Sequence, residues 1–416
     1  MLAPPGVLEG DWGRQRMKIL VCNVGSTSLK YQIFEMPGER QLVHGGMERI
    51  GSQTAHFRHQ AASKPEVSAA EPLPDQRAAI QRMISLLCDA RVGALDDLRE
   101  LNGIGFKVVG GRGVTGATLL DDQVLAAMEE YVPLLPAHNP PYIAAVRLFR
   151  DLLPGVPLVG LFETAFHDSM PPRAYLYSVP YEWYERYGVR RLGYHGASFR
   201  YIAGRVPELL GRPPDTLRLV ACHLGGSSSV CAILGGRSVD TSMGMSTQAG
   251  IPMANRCGDV DPFVLPYVMD RAGLSTEEIR QVLITRGGLL GISGVSGDVR
   301  DLELAAAKGE ARARLALEVF AYAVKKYIGA YAAAMGGLDA IAFSGGIGEN
   351  GIEMRREICS GLEFLGVELD EHRNQVRKAE AIISKEGARV AVVVVPTNEE
   401  IVVARETARI ISEIGQ

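Results

Sequence analysis

The chain has 416 residues, 47% of them hydrophobic and 22% charged, with a formal net charge of −4. That length suits two domains rather than one, and the composition allows a sizeable core. The charge leaves no electrostatic footprint for nucleic acid or an anionic membrane, and no apolar run reaches the ~18 residues of a membrane helix. Glycine is abundant, 47 residues or about 11% against a usual ~7%, and it is clustered, which points to loops of close backbone approach.

Residues 1–16 carry acids and prolines and no apolar segment, so they read as a disordered extension before a natural start near Met17, not as a secretory signal. Six cysteines show no metal spacing and read as reduced thiols of a cytoplasmic protein. From Lys18 to Phe34, two β-branched runs flank a Gly/Ser turn, predicting strand–turn–strand. Leu219 to Leu234 repeats the pattern, with Cys22, Gly25 and Ser28 matched by Cys222, Gly225 and Ser228, so two like-folded domains are expected. Between them, Leu152 to Leu161 is broken by Pro154 and Pro157, leaving a short strand that ends near Phe162.

Apolar spacing predicts a helix over 312–335, with Leu315, Val319, Ala323, Tyr327 and Tyr331 on one face together with Val324 and Ile328. A buried strand Ala340 to Phe343 then runs into Ser344-Gly-Gly-Ile-Gly-Glu-Asn350. The chain closes with a strand over 390–395, a turn, and a helix from Ile401. Strands alternating with helices argue for α/β layers.

The turn Asn23 to Ser28 can offer backbone N–H groups to a phosphate, with Lys30 following, and His223 to Ser229 repeats the arrangement. Two such hairpins facing across a cleft resemble the actin/hexokinase/Hsp70 (ASKHA) superfamily. The glycines at 345, 346 and 348 permit a nucleoside to lie against bare backbone, and the spacing is not that of a dinucleotide fold. Arg256 lies near two carboxylates in a segment suited to bidentate phosphate contact. His195 precedes a glycine, and on its own it reads as structural.

Nine strings then fall in one order: NVGSTSLK (23–30), PAHNPP (136–141), FETAFHDSMP (162–171), YGVRRLGYHGAS (187–198), CHLGGSSS (222–229), NRCGDVDP (255–262), SGDVR (296–300), FSGGIGEN (343–350) and VPTNEE (395–400). Together they resemble the acetate/propionate kinase family over essentially all of residues 17–416.

The resemblance implies a two-domain ASKHA fold with a central interdomain cleft, residues 17–165 plus 400–416 forming one domain and 166–399 the other. It implies reversible synthesis of an acyl phosphate and ADP from ATP and a short-chain carboxylate. Asn23 and Glu399 would hold Mg²⁺, or Mn²⁺ in its place, and Lys30 would face the phosphates. Glu163, His195 and Arg256 would be catalytic, and Lys107 would meet the substrate carboxylate. His223, Leu224, Gly225, Gly226 and Ser227 would hold the nucleotide, with Asp298, Val299 and Arg300, and with Gly346, Ile347, Gly348, Glu349 and Asn350. The family also implies a homodimer that binds neither nucleic acid nor membrane.

The sequence departs from the family at four places. Lys107 stands for an arginine, Gly110 for a histidine in a loop one residue shorter, Glu163 for an aspartate and Gly226 for an asparagine. Lysine keeps the charge but loses the planar fork, and Glu163 reaches one methylene further, so the two can compensate one another. Gly110 and the shorter loop are expected to widen the acid pocket. The family resemblance thus favours acetate, and the departures point towards propionate, butyrate or another larger acid. Two other readings stay open: a nucleotide-binding homologue with altered catalysis that acts as a sensor or interaction protein, and another actin-fold ATPase.

Overall fold

The computed structural model describes residues 16–136 and 138–415. The expected extension, Arg16 apart, lies outside them. The chain divides into two compact units. Of the described residues, the second comprises 166–397, and the first comprises those from 16 to 165 together with 398–415. The second crossing comes two residues earlier than expected, so Glu399 stands with the first unit.

The first unit holds an eight-stranded sheet: β1 (Met17–Val24), β2 (Ser28–Met36), β3 (Arg40–Glu48), β4 (His56–Ala61), β5 (Val67–Ala70), β6 (Leu101–Val108), β7 (Ala117–Leu119) and β8 (Leu158–Phe162). Its order is β5-β4-β3-β2-β1-β6-β8-β7. Strands β1 to β5 form an antiparallel meander, and β6 and β8 continue parallel to β1. Every residue of β8 is buried, as expected of a parallel strand covered on both faces.

The second unit holds a six-stranded sheet: β9 (Arg218–His223), β10 (Ser229–Leu234), β11 (Arg237–Thr241), β12 (Ala340–Ser344), β13 (Ala381–Ile382) and β14 (Ala391–Val394), ordered β11-β10-β9-β12-β14-β13. Strands β12 and β14 run parallel to β9. The plan β3-β2-β1-β6-β8 therefore recurs as β11-β10-β9-β12-β14, and the matched Gly/Ser turns occupy equivalent hairpins.

The helix Glu399–Ile414 begins two residues before the expected start, because Asn398 caps it: its Oδ1 accepts the Ile401 N–H at 3.0 Å. It lies against β1, β6 and β8. Two glycines of β6 allow this approach, since a side chain at Gly103 would run into Ile411 and one at Gly105 into Thr407 and Val403. The helix Ala311–Ala334 buries Val324, Ile328 and Tyr331 as expected, but its inward stripe is otherwise shifted from the one expected. Ala316, Phe320, Val324 and Ile328 are buried, while Leu315 is exposed, because the stripe follows the 3.6-residue turn from Ala313 rather than the spacing of the largest side chains.

His167 lies wholly inside the second unit. Its Nε2 donates to the Tyr194 carbonyl at 2.9 Å, which leaves Nδ1 to accept from Ser238 Oγ at 2.8 Å. Burial, first of all, pulls its pKa down to about 4. The unfolded chain takes this proton near pH 6.5 and the folded one only near pH 4, so stability is full above pH 6.5 and falls between those values. The loss from this group is on the order of 3 kcal/mol. His167→Gln is expected to flatten the fall, measured as the urea midpoint between pH 7 and pH 4.5. An unchanged pH slope would rule the group out as its source.

Candidate active site

In the first unit, the hairpin register sets Asn23 directly opposite Lys30. Lys30 is exposed, whereas Asn23 is partly covered and its Oδ1 accepts the Tyr142 hydroxyl at 2.9 Å. Tyr142 comes from the helix Asn139–Leu152, whose first residue, Asn139, donates its side-chain amide to Gly110 O at 2.9 Å and Met128 O at 2.7 Å. The PAHNPP string thus pins the loop after β6 and delivers a tyrosine to Asn23.

Lys107, near the end of β6, gives its ammonium to the Glu399 carboxylate at the start of the C-terminal helix. Their side chains are only 22% and 15% exposed, so solvent screens the pair weakly. Glu163 is buried just after β8, where its backbone N–H bonds Val108 O at 2.8 Å. Burial alone would depress the Lys107 pKa. The carboxylates of Glu163 and Glu399 outweigh it and hold the ammonium above the ordinary lysine value. Burial likewise pushes the Tyr142 hydroxyl up to about 12, opposed by the Lys107 charge. The structure therefore brings Asn23, Lys107, Glu163 and Glu399 to one polar group, with Tyr142 as a member that the sequence reading missed. The signal was present in the string Asn139-Pro-Pro-Tyr142, which opens a helix with its aromatic one turn in.

The extra room expected at Gly110 is already filled. A Cβ there would lie 3.1 Å from Leu135 Cδ1 and 3.6 Å from Tyr131 Cδ2. At Gly226 a side chain would meet nothing within 4 Å, so the asparagine-to-glycine departure leaves open space.

In the second unit, His195 and His223 stack with ring centroids 4.3 Å apart. His195 Nδ1 meets Ser229 Oγ at 2.8 Å, and His223 Nδ1 meets Ser198 Oγ at 2.8 Å. Ser229 is the register partner of His223 across the second hairpin, so strand pairing itself sets this cluster. His195 sits at φ 59°, a left-handed conformation that costs a non-glycine residue about 1 kcal/mol or more. Arg256 anchors one guanidinium nitrogen on Thr247 O at 2.9 Å, and burial lowers its pKa.

The expected nucleotide segments are also in this unit. The glycine string forms a short helix, Gly345–Asn350, tied under the second hairpin by the Ile347 N–H to Leu224 O bond at 2.8 Å. Glu349 turns inward to accept the Gly345 N–H at 3.0 Å, and Asn350 donates to Gly346 O at 2.8 Å, so both side chains brace the helix itself. Asp298 caps the helix Val299–Ala307 and pairs with the exposed Arg300, which lowers the Asp298 pKa.

Among the described residues, no three His, Cys, Asp or Glu side chains form a metal cage. Mg²⁺ does not require one, because it keeps waters and takes one or two protein oxygens with substrate phosphates. Asn23 Oδ1 and the Glu399 carboxylate are hard oxygen donors in one polar group, so the donor set fits.

The fold and its paired Gly/Ser hairpins define an actin/hexokinase/Hsp70-type phosphotransferase. The profile of the Acetokinase family matches residues 18–405. Acetate kinase of Caldanaerobacter subterraneus subsp. tengcongensis is 46% identical over 400 residues, 96% of this chain and 100% of that one. The crystal structure of Porphyromonas gingivalis acetate kinase superposes with a TM-score of 0.86 at 39% identity, covering 95% of this chain and 99% of that one. A propionate kinase from Francisella tularensis subsp. tularensis SCHU S4 gives the same TM-score at 31% identity, over 94% and 99% of the two chains. The chain belongs to the acetokinase family. It is a kinase that transfers phosphate to a carboxylate, using ATP or ADP with a divalent metal as the family does. The readings as a sensor or as another actin-fold ATPase are not favoured.

Lys107→Met is expected to cost about 3 kcal/mol of stability, because it removes a weakly exposed cation that Glu163 and Glu399 share. Adding Glu399→Met should recover much of that loss in thermal melts. Simple additivity of the two losses would show that the pair is not coupled.

Proposed function

We propose that this kinase acts on acetate in preference to longer acids, interconverting ATP and acetate with ADP and acetyl phosphate. The observation that carries this reading is at Gly110, where an added Cβ would already lie 3.1 Å from Leu135 Cδ1 and 3.6 Å from Tyr131 Cδ2, so the loss of a side chain there does not by itself widen the site. A carboxylate oxygen of the acid attacks the γ-phosphorus, and the bond to the β–γ bridging oxygen breaks with its electron pair leaving on ADP. Such a transfer needs positioning and charge neutralisation rather than a protein nucleophile.

Lys107 supplies the fixed cation for the acid's carboxylate, held protonated by Glu163 and Glu399. His195 and Arg256 neutralise the phosphoryl group, and the strained, serine-anchored seat of His195 keeps its ring preorganised. Asn23 and Glu399 would hold Mg²⁺, which would supply charge neutralisation of the phosphate oxygens, and Lys30 faces the same phosphates. The segments 223–227, 298–300 and 346–350 cradle the nucleotide through backbone, consistent with the inward turn of Glu349 and Asn350. No helix among the described residues is long and apolar enough to cross a membrane. A cytoplasmic setting accords with the six free cysteines.

Hydroxamate trapping with Mg-ATP against formate, acetate, propionate, butyrate and isobutyrate tests the assignment. kcat/KM should peak at acetate and fall with each added methylene by roughly tenfold. A peak at propionate or beyond would overturn the acetate reading.

The protein is also proposed to be a homodimer. The helices Tyr181–Tyr187 and Val264–Ala272 bury none of their residues, and Tyr181, Trp183, Tyr187, Phe263 and Tyr267 are 46 to 79% exposed. Sedimentation should give twice the 44.9 kDa chain mass, reduced to one chain by Phe263→Asp with Tyr267→Asp. A wild-type monomer would refute it.

A further inference from the structure

In a trans peptide the C=O of one residue and the N–H of the next point in opposite directions. A turn therefore presents a set of amides to an anion only when its carbonyls are drawn to the other side. In the β1–β2 turn they are drawn by identifiable donors. Gly25 O accepts from Gln76 Nε2 at 2.8 Å, and Ser26 O and Ser28 O lie 3.4 and 3.5 Å from the same nitrogen. Thr27 O accepts the Ile50 N–H at 3.0 Å, and Ser28 O accepts the Gly25 N–H at 2.9 Å. The amides of Ser26, Thr27 and Ser28 are thereby turned to the opposite side. In the equivalent β9–β10 turn one donor is local, Ser228 Oγ giving to Gly225 O at 2.8 Å, and the other is the Ala254 N–H of the loop after β11, which gives to Gly226 O at 3.3 Å.

Gln76 differs from those donors in reaching the turn with a side chain carried on a separate helix. It opens the helix Gln76–Leu87, whose cap, Asp75, accepts the Ala78 N–H at 2.8 Å and whose Ala79, Ile80 and Met83 are buried. The amide thus stands on a fixed base. Its Oε1 is buried and finds no partner among the described residues, so the carbonyls of the turn alone set its orientation.

We propose that Gln76 is a positioning residue for phosphoryl transfer: its side-chain amide holds the Gly25 carbonyl and faces that of Ser26, and so aims the amides of residues 26 and 27 at the phosphoryl group, while the Ile50 N–H holds the Thr27 carbonyl and with it the amide of Ser28. This rests on the reading of residues 23–28 as a phosphate turn.

The test compares wild type, Gln76→Met (same length, no donor) and Gln76→Glu (same shape, acceptors facing carbonyls). Two affinities are measured on the full chain, for MgADP alone and for MgADP with aluminium fluoride and acetate, where the fluoride occupies the place of the transferring phosphoryl group. Gln76→Met should weaken the fluoride complex by about tenfold, the equivalent of one hydrogen bond, and leave MgADP affinity unchanged within about twofold. Gln76→Glu should weaken it further. The proposal is overturned if the fluoride complex is unaffected, or if both affinities fall together in step with the melting temperature. A wild type that forms the fluoride complex with propionate but not with acetate sinks only the acetate reading, and the Gln76 comparison is then made with propionate. If neither acid completes the complex, the phosphate-turn reading falls and takes Gln76's role with it.

Discussion

A cation held among carboxylates away from bulk water is tolerable only as a set. Remove the ammonium of Lys107 and two acids are left facing each other; remove the acids and burial expels the proton. Glu163 comes from the end of β8, Lys107 from the end of β6, and Glu399 from the first turn of the C-terminal helix. The set therefore ties three elements to one another. Its demand for close approach is written into β6, where Gly103 and Gly105 leave room for the helix that carries Glu399. Tyr142 extends the set to Asn23 and hence to the first hairpin.

The second unit reaches rigidity by another route. Its histidines are wedged. One ring lies on the other, each is pinned through Nδ1 by a serine hydroxyl, and the backbone of His195 is held in a conformation it would not choose. The surrounding strand pairing over-determines that strain, because Ser229 and His223 are register partners. A ring fixed in this way needs little reorganisation when charge develops beside it, the condition under which electrostatic stabilisation is strongest.

Much of this was legible in the amino-acid sequence, and the rest was hidden for an identifiable reason. The two hairpins could be read because a Gly/Ser turn between β-branched runs is a local signal, and both strands of each appear where the pattern put them. The strand Ala340–Ser344 and the helix that precedes it were equally local. Ordered strings pointed to Glu163, His195 and Arg256, and a departure from the family to Lys107, but no string could say what each touches. Lys107 meets Glu399 across 292 residues, Tyr142 meets Asn23 across 119, and Gln76 meets Gly25 across 51. Periodicity carries no information at such separations. The same holds for Gly110, where the missing side chain suggested a void and only packing revealed Leu135 in it. Leu315 was misplaced because its size was weighed above its angular position on the helix.

The division of the chain also has a consequence for synthesis. Residues 166–397 form a unit by themselves, whereas the first unit is interrupted by them and takes its last helix from 398 onward. On the ribosome the strands β1 to β8 emerge first, yet the surface of β1, β6 and β8 that the final helix covers stays bare until more than two hundred further residues have been made. Domains usually mature in the order in which they are translated. Here the first unit cannot be completed until residues 166–397 have been made, and Lys107 meets Glu399 only after that. A chain arrested before Asn398 would contain all the residues of the stacked histidines and the glycine-rich helix, whereas Lys107 would have Glu163 but not Glu399.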